Sequence, residues 1–401
     1  MKGSAWPPEE SPILTRRSAL GAGLALTLAG CNSMGVELPS FDVGKPAAGP
    51  SPATGSPVGE ALGKGQTRVG IILPLTQNGA PSTLGVSMRN AAQLARDEFG
   101  SPYITLMIED DGSTPDGARQ AAQSEVGAGA EIILGPVFAN NVRQAASVAK
   151  GATKPVIAFS TEASVASPGV YLLSFLIEGY VDRILRFAVS KGKTSYAALA
   201  PQSDYGNIAL GQFQQTAGRL NVRIIVVGRY APGQPASAVP QVAAVANQIE
   251  ALFIPEQAEG MPAVAAALGS GGVKTQLLGT GVWNDARVLR LAQMQGAWFA
   301  APDNSGFNAF AQRYKAKFNS EPTRLASLAY DTVTLAAALA RNGGPDKFSE
   351  SALTSVSGFN GVDGVFRFRP DGTNERGLAV MEINNNAATV ISPAPRSFAA
   401  G

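Results

Sequence analysis

The chain has 401 residues, 45% hydrophobic and only 15% charged, enough apolar material for a large core in roughly two to three domains. A net charge of +2, with no run of Lys and Arg interleaved with aromatics, excludes the electrostatic footprint of a nucleic-acid partner. With no histidine and Cys31 as its only cysteine, the chain has no His-based nucleophile system, no imidazole-bound metal, no intrachain disulfide and no iron–sulfur cluster, so it reads as a non-enzyme without metal or cofactor.

In chain order, Lys2, Arg16 and Arg17 precede an apolar run from Ala19 to Ala29 that ends in Leu28-Ala29-Gly30-Cys31. A basic stretch, a short apolar stretch and small residues before a cleavage point make a secretory signal over residues 1–30. Eleven apolar residues rise only about 16 Å as a helix, too short to cross a hydrocarbon layer of ~30 Å. Leu-Ala-Gly-Cys resembles the bacterial lipobox, which implies lipid attachment at Cys31 and anchoring in the cell envelope. Asn32 after the cysteine lacks the Asp that resembles the inner-membrane retention signal, so an outer-membrane location is allowed. Thr15-Arg16-Arg17-Ser18-Ala19-Leu20 partly resembles a twin-arginine motif, which leaves two export routes open. Residues 31–66 are rich in Pro, Gly and Ala and carry few large apolar residues, the composition of a tether.

From Thr67 onward short apolar runs alternate with helical stretches, which argues for α/β architecture with parallel sheets and crossover helices. The first series predicts strands at Val69–Leu73, Ile104–Ile108, Glu131–Leu134 and Pro155–Phe159. Helices lie between them near Gly85–Phe99, Pro115–Gly127 and Asn140–Lys150. A second series predicts strands at Tyr196–Leu199, Val222–Val227, Ala251–Ile254, Gln276–Leu278 and Ala297–Ala301. Its helices fall near Gly179–Ser190, Gly206–Arg219, Gly260–Leu268 and Asp285–Leu291, and two more run through Gly306–Phe318 and Thr323–Arg341. The tail reads as a small antiparallel addition, Val365–Phe368, Leu378–Ile383 and Thr389–Ile391, with a turn at Asp371-Gly372. Two wound sheets of similar size leave a crevice at the carboxyl ends of their strands, where open α/β sheets bind ligands.

Seven segments in order now carry a resemblance. They are Ile71-Ile72-Leu73-Pro74-Leu75-Thr76 with Gly79-Ala80, Asp110-Asp111-Gly112-Ser113-Thr114-Pro115, Ile133-Leu134-Gly135-Pro136, and Lys154-Pro155-Val156-Ile157-Ala158-Phe159-Ser160. Asp204-Tyr205-Gly206, Ala329-Tyr330-Asp331 and Phe359-Asn360-Gly361-Val362 follow. Together they resemble the leucine/isoleucine/valine-binding proteins of ABC transporters, in the type 1 periplasmic binding protein family. The resemblance implies two Rossmann-like lobes joined by three hinge strands, the first over 67–174 plus 303–358 and the second over 175–302 plus 359–395. It also implies capture of an amino acid or similar small polar solute in the periplasm, by closure of the cleft, for an ABC permease. Within that frame the candidate ligand residues are Gln77 and Asn78 in the first loop, Ala139 and Asn140 in the third, and Ser160, Thr161 and Glu162 in the fourth. Tyr205, Trp283 and Asn284 face them from the second lobe. Asn140 also reads as an ordinary helix cap, and Ser160 to Glu162 as a capping turn. Glu162 stands about where the family has Thr, and would repel a ligand carboxylate unless it turns away. The chain is also similar to the C-terminal part of the penicillin-binding-protein activators, lipoproteins of this fold whose partner is a peptidoglycan synthase.

Overall fold

The computed structural model describes residues 59–398. The signal sequence, Cys31 and nearly all of the tether lie outside the described residues. Alternation of apolar runs and helices produces two wound sheets as expected. The first lobe contains β1 (Glu60–Leu62), β2 (Thr67–Leu73), the hairpin β3 (Thr76–Gln77) and β4 (Ala80–Pro81), β5 (Ile104–Asp110), β6 (Ile132–Leu134), β7 (Val156–Ala158) and β8 (Val170–Leu172). Its helices are α1 (Thr83–Ala95), α2 (Pro115–Gly127) and α3 (Ala139–Gly151). The second lobe contains β9 (Ser195–Pro201), β10 (Arg223–Tyr230), β11 (Ala251–Phe253), β12 (Gln276–Gly279) and β13 (Trp298–Ala301). Around them lie α4 (Ile177–Ser190), α5 (Asp204–Arg219), α6 (Val239–Ala243), α7 (Met261–Ser270) and α8 (Ala286–Leu289). The chain then forms α9 (Asn304–Phe318), α10 (Ala326–Asn342) and α11 (Glu350–Leu353). It ends in β14 (Phe359–Gly361), β15 (Gly364–Phe368), β16 (Asn374–Arg376), β17 (Ala379–Asn384) and β18 (Ala387–Ser392).

The first sheet has the order β1-β5-β2-β6-β7-β8, parallel except for β1, and the second has β10-β9-β11-β12-β13-β17-β18, parallel through β13. Each parallel core therefore winds outward from its first strand, which creates a switch point at the strands' carboxyl ends. Buried side chains cover both faces of each sheet. Ile71, Leu73, Ile108 and Leu134 point to one face of the first sheet, Ile72, Ile133 and Val156 to the other. Leu199 and Phe299 line one face of the second sheet, Phe213, Phe253 and Leu278 the opposite side. Near-continuous burial of this kind belongs to strands covered by helices on both sides.

The chain passes between lobes three times: from β8 to α4, from β13 to α9, and from β16 to β17. Helices α9 and α10 return to the first lobe, where Phe310, Tyr314 and Leu328 join its core. Phe366 and Phe368 of β15 pack into that same core. Residues 359–376 thus cover the first lobe, whereas the sequence reading assigns 359–395 to the second. Only β17 and β18 lie in the second sheet. The Asp371-Gly372 turn forms as expected, with the Asp371 carboxylate accepting from the Thr373 N–H at 2.8 Å.

Candidate functional site

Strand-to-helix turns build the mouth of the cleft. After β9, Ser203 caps α5 by accepting from the Gly206 N–H at 3.1 Å. Gly206 allows the helix start to seat against the strand end, since a Cβ there would lie 2.3 Å from the Pro201 carbonyl oxygen. That seat holds Tyr205 over the crevice, its hydroxyl 2.5 Å from the Thr280 Oγ1 that follows β12. Burial pushes the Tyr205 phenol up to about 12, so it stays protonated and can donate or accept.

A cavity of about 620 Å³ opens beside Tyr205. Its wall comes from strand ends and crossings: Thr161 after β7, Phe175 after β8, Gln257 after β11, Asn284 after β12, and Pro302 and Asn304 after β13. Tyr180 of α4, Phe307 and Asn308 of α9, and Arg324 before α10 complete it. The lining joins flat aromatic faces to four side-chain amides, a combination that suits a small organic solute. Among the described residues no cluster of Cys, Asp and Glu could hold a metal ion.

Behind the cavity the crossings are tied together by stacked cations. The Arg324 guanidinium lies 4.2 Å from the Phe307 ring centroid and 5.2 Å from that of Phe175. Arg376, on β16, lies 4.7 Å from the Phe175 centroid, and its Nε donates to the Ser174 carbonyl at 3.0 Å. Phe175 belongs to the first crossing, Phe307 follows the second, and Arg376 precedes the third. Two buried carboxylates balance the guanidinium groups. Asp363 pairs with Arg324 and accepts from the Ser327 hydroxyl at 2.6 Å, while Asp331 accepts from the Val362 N–H at 2.8 Å. Burial pushes Asp331 up to about 7, an effect that Arg376 only partly offsets.

Of the residues singled out from sequence, Thr161, Tyr205 and Asn284 meet in this cavity. Gln77 and Asn78 sit on an exposed hairpin, where Asn78 and Gly79 both take positive φ in a two-residue turn. Ala139 and Asn140 open α3, and the Asn140 amide oxygen accepts from Arg143 at 2.7 Å. Ser160 is buried and accepts from the Glu162 N–H at 3.1 Å in a local turn, and no side chain caps the short helix that follows at Ala163–Val165. Glu162 has turned away from the cleft to bond Ser164 and pair with Arg143, which together hold its carboxyl below the usual range. Trp283 does not face the cleft: it is fully buried in the second lobe's core, against the bare face of Gly279. Phe175, Tyr180, Gln257, Phe307 and Arg324 carried no motif. Phe175 and Gln257 had position as their only signal, at a crossing and a strand end, while Tyr180 and Phe307 lie on helices and Arg324 between two of them.

The sequence profile of the periplasmic binding protein family matches residues 66–388. No curated protein matches the chain. Solved structures of the same fold are numerous. A Rhodospirillum rubrum protein described as a branched-chain amino acid ABC transporter is 19% identical, with a TM-score of 0.73 over 81% of this chain and 99% of that one. A leucine binding protein from Thermotoga maritima is also 19% identical, with a TM-score of 0.57 over 82% of this chain and 98% of its own. A Rhodopseudomonas palustris solute binding protein of an ABC transporter, solved with 3,4-dihydroxybenzoic acid, gives 19% identity and a TM-score of 0.57 over 82% and 98%. With two wound sheets, three crossings and a cavity at the strand ends, and with the profile spanning both lobes, the chain belongs to the periplasmic binding protein family.

Proposed function

We propose that the protein is exported to the periplasm, anchored through a lipid on Cys31, and captures a small polar solute, an amino acid or a related compound, for an ABC transporter. The observation that carries this reading is the 620 Å³ cavity, which draws its lining from both lobes and from the chain crossings between them. A solute bridging that wall contacts groups that move relative to one another when the lobes rotate, so binding energy favours the closed form. Membership of the family and its likeness to solved ABC-transporter binding proteins support the same reading.

Two experiments test it. Replacing Cys31 with Ser is expected to move the protein from the membrane to the soluble fraction, and unchanged membrane association would contradict the anchor. A thermal-shift screen of that soluble full-length variant against amino acids, organic acids and small peptides is expected to give a hit. A solute at 100 times its dissociation constant stabilises by about 2.7 kcal/mol, a rise of a few degrees for a chain of this size. A flat screen would contradict solute capture and leave a protein partner, such as a peptidoglycan synthase, as the target to pull down.

A further inference from the structure

The charge pattern of the cavity bears on what kind of solute it takes. Of the sixteen residues lining it, Arg324 alone is charged, and none is Asp or Glu. Three carboxylates beside the lining residues are engaged elsewhere. Glu162 pairs with Arg143. Asp285 is gripped by Arg287 at 2.8 and 2.9 Å, and Asp303 accepts from the Ser305 N–H at 2.8 Å. An ammonium group entering this space would find no anionic partner and would stand beside a guanidinium. Removing it from water uncompensated is strongly unfavourable.

An anion meets the opposite situation. Arg324 leaves 36% of its side chain exposed and holds one carboxylate, Asp363, while its Nη1 is buried without a hydrogen-bond partner. A second guanidinium, that of Arg376, is buried behind Phe175 with neither Nη atom partnered. Two cations thus face Asp363 and Asp331, and Asp331 holds its proton into the neutral range because burial disfavours its charge. The cavity wall itself carries one charge, the cation of Arg324. Phe175, Tyr180, Tyr205 and Phe307 supply flat surfaces next to it, of the kind that hold a ring by stacked or edge contacts.

We infer that the solute is a small aromatic carboxylate without an ammonium group, its carboxylate at the Arg324 end and its ring among Phe175, Tyr180, Tyr205 and Phe307. This rests on the solute-capture reading above and narrows it to one chemical class. An aromatic acid satisfies the cation and the aromatic wall together, whereas an α-amino acid adds a charge that the wall repels.

Titration calorimetry on the full chain carrying Cys31→Ser tests the inference with benzoate, phenylacetate and 3-phenylpropanoate. L-Phenylalanine and 3-phenylpropanamide serve as matched probes, the first adding an ammonium group and the second removing the negative charge. At least one acid is expected to bind, with L-phenylalanine and the amide weaker by about 100-fold, the scale of one lost charged contact at 1.4 kcal/mol per factor of ten. In an Arg324→Gln/Asp363→Asn double variant, which removes the cation without stranding its partner, acid and amide should bind equally. Its melting temperature confirms that it folds, and an Arg324→Lys variant that keeps part of the acid preference gives a second check. Equal or tighter binding of L-phenylalanine or L-leucine would overturn the substrate class and leave solute capture standing. Equal binding of acid and amide by the unaltered site, or no binding by any of the three acids, would also overturn it. Failure of the broad screen as well would overturn solute capture itself.

Discussion

The two lobes share one winding pattern but treat the polar groups at their strand ends differently. In the first lobe these groups satisfy one another. Asp110 accepts from the Thr76 hydroxyl at 2.6 Å and from its N–H at 3.1 Å. Asp111 accepts from Asn141 at 2.8 Å, and Glu162 is held by Ser164 and Arg143. In the second lobe the Gln257 and Asn284 amides line the cavity, and Tyr205 offers it a ring whose hydroxyl is bonded to Thr280. A buried or half-buried polar group that already has partners gains little from a ligand, whereas one facing open space can exchange water for solute. The difference teaches that strand-end position makes a loop available for binding, and that local hydrogen bonding decides whether it is used. The cavity lining comes from the second lobe's strand ends, from the crossings and from α9 with the segment after it, and Thr161 is the first lobe's strand-end contribution.

That contrast can be broken or sharpened by substitution. The largest effect is expected from Trp283→Ala, which removes a fully buried indole from the second lobe's core. It should cost about 3–5 kcal/mol of stability, read as a fall in melting temperature. A stable variant with lost solute binding would instead make Trp283 a ligand platform. Tyr205→Ala should weaken solute binding by roughly 1–3 kcal/mol while leaving the core intact, and equal affinity would remove the ring from the site.

Asp331→Asn reports on the crossings rather than on either lobe. Because burial raises the folded-state pKa of Asp331 from 3.8 to about 7, the folded protein binds a proton that the unfolded chain has released between those values. Its contribution is fully present below pH ~4 and is lost as pH rises toward 7, so stability falls with pH across that window. The Asn variant should flatten this slope in melts recorded from pH 4 to 8, and an unchanged slope would assign it to other groups. The smallest effects are expected in the first lobe. Gln77→Ala and Glu162→Gln should each change solute affinity by less than about twofold and stability by less than ~1 kcal/mol, since the Arg143 pair is half exposed. A tenfold loss of affinity in either would restore the first lobe as an equal partner.

The wound sheets were legible because each depends on local apolar runs. Val69–Leu73, Ala251–Ile254 and their neighbours fall within a few residues of the observed strands. The strand Val170–Leu172 escaped notice because three residues after Pro168-Gly169 carry no period. Residues 359–376 read as part of the second lobe because a pattern of strands does not say which core they cover; the burial of Phe366 and Phe368 does. In the site, Tyr205, Thr161 and Asn284 were accessible to reasoning from strand-end loops. Phe175, Phe307 and Arg324 were not, since their meeting depends on three crossings that bring distant parts of the chain together. Tyr180 was hidden differently: on an amphipathic helix it reads as one more apolar-face residue. Trp283 shows the converse, an aromatic at a strand end that the second lobe needs for packing.

Closure of the lobes over the cavity is measured most directly by the distance between them. With Cys31 replaced by Ser, cysteines introduced at the exposed positions Gln77 and Gln202 can carry one spin label on each lobe. Addition of a solute found by the thermal-shift screen is expected to shorten and narrow the distance distribution between the labels. An unchanged distribution at saturating solute, with binding verified by calorimetry on the same sample, would contradict capture by closure.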